Sequence, residues 1–385
     1  MLEYMIGHYL KQRHILIFLL IVFIGCNGLP RRINYVNPKD FEHTIEGKSI
    51  GLFTLTNSKG VACQITNYGG RVVSLFLPDR FGDFDDVVMG YPDLQHYINS
   101  PESYFGATIG RYGNRIANGR FSIGDQEYTL NKNDGENHLH GGIKGFNQVI
   151  WDVKQLTTNS LELAYYSPDG EEGYPGNVSI EILFTLTEES ALKIEYKATT
   201  DQITPINLTH HSYFNLRGVG NGDIFDHMMQ INAASYTPVN KDLIPTGEIL
   251  PVVGTPFDFN KLKLIGKDID ADDPQLIYGK GYDHNFVIDG TGLRKAAKVI
   301  DYHSGRTMEV WTDEPGLQFY SGNFLNSMEV GKEELRYHRR GALCLETQHF
   351  PDSPNHSNFP TTLVRPGQIY TSTCIYKFGL VSAND

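Results

Sequence analysis

Residues 178–198 read VSIEILFTLTEESALKIEYKA. Leu192, Ile194, Tyr196 and Ala198 alternate with Lys193, Glu195 and Lys197. That period of two sends one row of side chains toward a core and the other toward water. Val178–Leu186 has the same strand character, and Thr187-Glu188-Glu189-Ser190 joins the two runs as a hairpin. Outward from this pair the pattern repeats. Phe121–Ile123 and Glu127–Leu130 flank Gly124-Asp125, and Val72–Leu77, Leu161–Tyr166 and Met308–Trp311 are further strands. No apolar stripe of helical period persists for three turns. Short helices are expected near Asp93–Ile98 and Lys332–Tyr337, the second as a charged, solvated face. Strands spread over this length without a Pro- or Ser-rich linker predict a mainly β protein. One antiparallel domain over residues 35–385 is expected, its sheets packed face to face as a large sandwich.

Composition narrows the function. The 385 residues carry 33 basic and 45 acidic side chains, a net charge of −12, which argues against nucleic acid as a partner because phosphate neutralisation needs clustered Lys and Arg. Residues 15–24 (ILIFLLIVFI) follow Lys11 and Arg13. The run is short of the roughly 20 apolar residues a membrane span takes and has the form of an export signal. Gly25-Cys26 after it resembles a lipoprotein junction, so residues 1–28 are expected to be an export segment. The protein is then periplasmic or membrane-anchored, with cytoplasmic as the alternative. Any membrane contact is expected only through a lipid on Cys26. Cys63, Cys344 and Cys374 are widely spaced and form no C-x-x-C pair, which reads as buried free thiols.

Five polar clusters are more than strands need: residues 110–116 (GRYGNRI), 137–142 (NHLHGG), 207–216 (NLTHHSYFNL), 281–286 (GYDHNF) and 345–352 (LETQHFPD). Histidines, two carboxylates, one Arg and several amides form a set for proton transfer on a hydroxylated substrate. His138 and His140, at i and i+2, could be two metal ligands, though such a pair alone does not make a site. There is no P-loop or dinucleotide fingerprint. A sugar-binding module without turnover, a glycoside hydrolase using Asp283 and Glu346, and a metal-dependent enzyme remain open on the residues alone.

Together with SPDGEEGYPG (167–176), IPTGE (244–248), GTPFDF (254–259), EPGLQFYSGNFL (314–325) and CLETQHFPD (344–352), these segments resemble the aldose 1-epimerase, or galactose mutarotase, family, in the family's order. The resemblance implies a galactose mutarotase-like β-supersandwich that interconverts the α and β anomers of free hexoses such as galactose and glucose. A monosaccharide would be its partner, with no cofactor and no metal. It further implies that Glu346 is the general base at the C1 hydroxyl, that His211 is the general acid at the ring oxygen, and that His140 assists. Asn114, Arg115, Asp283 and Gln318 would hold ring hydroxyls. His210, where many members carry Asn, and His138 fall outside the catalytic set.

The chemistry suits that set. Opening a cyclic hemiacetal takes a proton from O1 and gives one to the ring oxygen. Rotation about C1–C2 and the reverse transfers then give the other anomer. A carboxylate is an available base at pH 7, whereas an imidazole must be held protonated to act as the acid, and a nearby carboxylate would raise its pKa in that direction.

Overall fold

The computed structural model describes residues 33–100, 104–328 and 330–382. The two runs quoted above form the strands Val178–Leu186 and Ala191–Thr200, antiparallel from Val178 opposite Thr200 to Leu186 opposite Leu192. Thr187 fixes the turn, its Oγ1 accepting from the N–H groups of Glu189 and Ala191. The apolar row is fully inside: Leu192, Ile194, Tyr196 and Ala198 are all buried.

This hairpin belongs to a nine-stranded antiparallel sheet. Its spatial order is Asp152–Thr157, Ser160–Ser167, Val178–Leu186, Ala191–Thr200, Tyr370–Leu380, Arg306–Thr312, Arg294–Ile300, Met228–Ile231 and Lys263–Leu264. A five-stranded antiparallel sheet runs Leu250–Pro251, Ser235–Thr237, Asp283–Val287, Gly316–Tyr320 and Cys344–Gln348. A four-stranded one is formed by Leu52–Thr56, Ala62–Thr66, Arg71–Pro78 and Phe84–Asp86. The main core joins all three, with Ile182, Ile194 and Tyr376 from the first, Phe286, Leu317 and Leu345 from the second, and Leu55, Ile65 and Leu75 from the third. The three cysteines are buried and form no disulfide.

The five-stranded sheet positions the site. Its three long strands are buried on both faces except at Val287. Phe286, Leu317 and Leu345 face the core, so the alternation sends Asn285, Gln318 and Glu346 to the other face as direct cross-strand neighbours.

One expected helix forms at Leu94–Asn99, where the Asp93 carboxylate accepts from the His96 N–H. A second, Pro274–Gly279, is six residues long and too short to announce itself by periodicity. At 332–337 the expectation fails: only a 3-10 turn, Lys332–Glu334, forms, with Glu333 at φ 54°. Nor is this a solvated face. Lys332 is buried, its Nζ 2.6 Å from Asp86 and 2.9 Å from the Val88 carbonyl. An ammonium with that many acceptors inside the protein anchors the turn and interrupts helical continuation. Among the described residues no helix is long and apolar enough to cross a membrane. The export segment 1–28, with Cys26, lies outside the described residues.

Candidate active site

Glu346 lies mid-strand in Cys344–Gln348, opposite Gln318 of Gly316–Tyr320, which is in turn opposite Asn285. Asp283, two residues before Asn285, receives a 2.7 Å hydrogen bond from Gln318 Nε2. Gln318 therefore fixes Asp283, and its own Oε1 is buried without a partner.

His211 ends the short strand Thr209–His211, which pairs with Ala107–Ile109. Its Nε2 lies 3.5 Å from Glu346 Oε1, and the two side chains are only 5% and 2% exposed. The neighbouring His210 points the other way, Nε2 on Ser212 Oγ at 2.9 Å and its ring edge-on to Phe184.

His140 and Asn114 come from two loops that lock together. Arg115 pairs with Leu139, the Asn114 carbonyl accepts from the His140 N–H, and the Asn114 N–H donates to His140 Nδ1 at 3.1 Å. Asn114 and His140 both hold positive φ, 63° and 51°. Left-handed backbone in non-glycine residues persists where the surroundings over-determine it, as at functional sites. The approach is close enough that Gly141, at φ +87°, has no substitute: a Cβ there would lie 1.8 Å from the Gly110 carbonyl oxygen. Arg115 reaches into the same space with its Nε on Asp134 at 2.8 Å.

These side chains line one cleft of about 260 Å³: Asn114, Arg115, Asp134, Leu139, His140, His211 and Asp283, with Glu346 and the aromatic rings of Tyr104, Tyr213, Tyr320 and Phe324. Six of the seven expected residues thus share one wall, and Gln318 stands behind Asp283. A larger cavity of about 500 Å³ opens elsewhere, beside Val36, Phe76, Lys332 and Leu335. Its lysine is already consumed by Asp86, so chemistry and not size locates the site.

Burial controls the electrostatics. It pushes the Glu346 carboxyl well above its ordinary range, Asp283 adding to the rise and Arg115 opposing it. It also pushes the His211 imidazole down to about 3, outweighing a contact with its own carbonyl, with Arg71 lowering it further. His140 is likewise held far below its ordinary value, first by burial and then by His211. A neighbouring carboxylate is expected to raise the His211 pKa, but in the free site burial sets the shift and lowers it. Both shifts favour the neutral forms, so a proton shared by the pair rests more readily on Glu346 than on His211. The Glu346 carboxyl and the His211 imidazole stand side by side, 3.5 Å apart.

The donor atoms of His140, His211 and Glu346 lie within 4.8 Å of one another, a spacing that could hold a divalent cation. The hydrogen bond at His140 does not fit that role. A neutral imidazole whose Nδ1 accepts from Asn114 carries its proton on Nε2, the nitrogen left to face the cleft. Metal-bound histidines do the reverse and donate through the nitrogen that is not ligated. The His138–His140 pairing fails too, since both His138 nitrogens are engaged, with the Asn131 carbonyl and with the Tyr174 hydroxyl, each at 2.6 Å.

A family model described as aldose 1-epimerase matches residues 51–377. The chain belongs to the aldose 1-epimerase family. Galactose mutarotase of Bos taurus is 43% identical over 318 residues, 82% of this chain and 91% of that protein. Aldose 1-epimerase of Escherichia coli K12 is 36% identical over 337 residues, 86% and 96% of the two chains. In structure, galactose 1-epimerase from Lactobacillus acidophilus matches with a TM-score of 0.79 at 28% identity, covering 88% of this chain and 97% of that one. The galactose mutarotase-like architecture expected from the sequence is therefore the one observed.

Within this family fold, four cleft residues escaped the sequence reading. Tyr104 packs edge-on to His140 at 4.7 Å and nearly parallel to His211 at 5.8 Å. Asp134 was overlooked although it stands three residues before Asn137, and Tyr320 and Phe324 lie inside a quoted motif. Phe319 is core, packed on Tyr282 and Phe259, whereas Tyr213 flanks His211 with ring centres 5.0 Å apart.

Proposed function

We propose that this protein is an aldose 1-epimerase that equilibrates the α and β anomers of free hexoses such as galactose and glucose. The observation that carries the reading is the 3.5 Å contact between His211 Nε2 and Glu346 Oε1 on the floor of a polyhydroxyl-sized cleft. O1 and the ring oxygen are both bonded to C1, so two adjacent groups can reach both. Sugar binding would draw the shared proton from Glu346 to His211. Glu346 then takes the O1 proton while His211 gives one to the ring oxygen, and the C1–O5 bond opens to the aldehyde. The proton count of the pair is the same before and after, so the reaction runs equally well in reverse. His140, donating through Nε2–H, steadies the ring oxygen. Arg115, Asn114 and Asp283, the last braced by Gln318, hold hydroxyls away from C1 so that C1–C2 can rotate without release of the open chain.

Polarimetry tests the proposal. Pure α-galactose should reach rotational equilibrium faster with the protein present. Glu346→Gln should slow that acceleration by about 10²–10⁴-fold, the range of one positioned proton-transfer group. A wild-type rate in Glu346→Gln would remove Glu346 from the role.

We also read residues 35–385 as one domain and residues 1–28 as an export segment with Cys26 lipidated. Mass spectrometry of the mature amino terminus tests this: acylated Cys26 supports the assignment, and an intact Met1 in the cytosol overturns it.

A further inference from the structure

One strand brackets the imidazole of His211 at both nitrogens. Glu346 and Cys344, two residues apart in Cys344–Gln348, are both turned away from the Leu345 core face. Glu346 Oε1 lies 3.5 Å from Nε2, and Cys344 Sγ lies 3.5 Å from Nδ1. The thiol is fully buried and belongs to no disulfide. On the proposed reaction His211 delivers and recovers its proton at Nε2, so its neutral form must carry the remaining proton on Nδ1.

Resting on that reading, we infer that Cys344 is a positioning residue whose sulfur accepts a hydrogen bond from His211 Nδ1–H and so fixes the tautomer and tilt of the imidazole. The alternative direction, S–H donating to Nδ1, would place the ring proton on Nε2. Nε2 could not then accept a proton from Glu346, and the transfer the proposed reaction needs would be blocked. A sulfur acceptor leaves the chain of donors consistent, from the Glu346 hydroxyl to His211 Nε2 and from Nδ1–H to Cys344 Sγ. It is a soft, weak acceptor, so it orients the ring without drawing off the proton. The logic is that of any acid–base pair in which a third group orients the base. Tyr104, stacked on the ring at 27°, and Tyr213, tilted to it by 31°, limit its movement out of plane.

The test begins with the wild-type protein without sugar. Nitrogen-15 NMR of histidine-labelled protein should show His211 as the Nδ1–H tautomer near pH 7, and an Nε2–H tautomer overturns the inference. Cys344→Ala should mix the tautomers, lower kcat about tenfold, as loss of an orienting outer partner typically does, and leave KM unchanged. Cys344→Ser, which keeps an acceptor, should restore both the Nδ1–H signal and most of kcat. An unchanged tautomer and kcat in Cys344→Ala also sinks the inference. The NMR readout needs no turnover, so a protein that fails to accelerate mutarotation yet shows the Nδ1–H tautomer refutes the proposed function and leaves the positioning contact standing.

Discussion

At the scale of single residues, one proton shared between Glu346 and His211 sets the pH behaviour. His211 takes up a second proton only near pH 3, to which burial depresses it, and the pair loses its last proton only above the raised pKa of Glu346. The two groups titrate as a unit, so the kcat/KM profile for mutarotation should show no ordinary imidazole limb at mildly acidic pH. It should fall with a single proton loss once pH passes the raised pKa of Glu346, when base remains and acid is gone. A profile falling below pH 6.5 with an ordinary imidazole pKa would contradict this. Arg115 offers a second measurement. Its Nε pairs with Asp134, with 11% and 36% of the two side chains exposed, and such partly exposed pairs are worth about 0.2–1 kcal/mol. Asp134→Asn should therefore raise KM by at most about fivefold, with kcat unchanged. The residue types of this site were legible because polar clusters in a strand-rich chain need a reason to exist. Their protonation was not: whether a carboxylate beside an imidazole charges it or is neutralised with it depends on burial, which no spacing in the sequence reports.

At the scale of elements, the strand Cys344–Gln348 joins chemistry to core. Its far end carries His349, whose Nδ1 meets Glu314 Oε2 at 2.5 Å while the Tyr370 hydroxyl donates to Glu314 Oε1 at 3.2 Å. Burial alone would depress His349, but the Glu314 carboxylate reverses the shift and its pKa is raised above 6.5. A histidine raised by folding stabilises the protein fully below its unfolded pKa, and that stability is lost as pH climbs through the folded value. Thermal melting of wild type and Glu314→Gln should differ most at pH 5.5 to 6.5 and converge toward pH 9. A constant difference across that range would show that the pair's charge is not responsible. Elements were readable wherever alternation was long, as in Ala191–Thr200. The 332–337 segment misled because a charged run was read as solvated, whereas the Lys332 ammonium is buried against Asp86, an acceptor 246 residues away in sequence. Pairings at that distance leave no local trace.

At the scale of the whole molecule, the last strand is structurally central. Tyr370–Leu380 is fifth of nine in the large sheet, with Ala191–Thr200 on one side and Arg306–Thr312 on the other. Its inward row, Tyr370, Ser372, Cys374, Tyr376 and Phe378, is buried. The Tyr376 hydroxyl donates to the Leu345 carbonyl at 2.8 Å, tying the centre of this sheet to the residue beside Glu346. Without this strand the two halves of the sheet would each expose an unpaired edge, and the core would lose its middle row. A chain ending at Gln368 should therefore fail to form a cooperative fold: circular dichroism should show no sharp thermal transition, and the product should aggregate. Tyr376→Phe probes the link more gently. It removes one hydrogen bond, worth about 0.5–1.5 kcal/mol net, while keeping the ring in the core. It should lower the melting temperature modestly and reduce kcat by relaxing the strand that carries Glu346, with sugar affinity preserved. If the Gln368-terminated chain instead melts cooperatively near the wild-type temperature, the nine-stranded sheet is not the element that holds the acid–base pair in place.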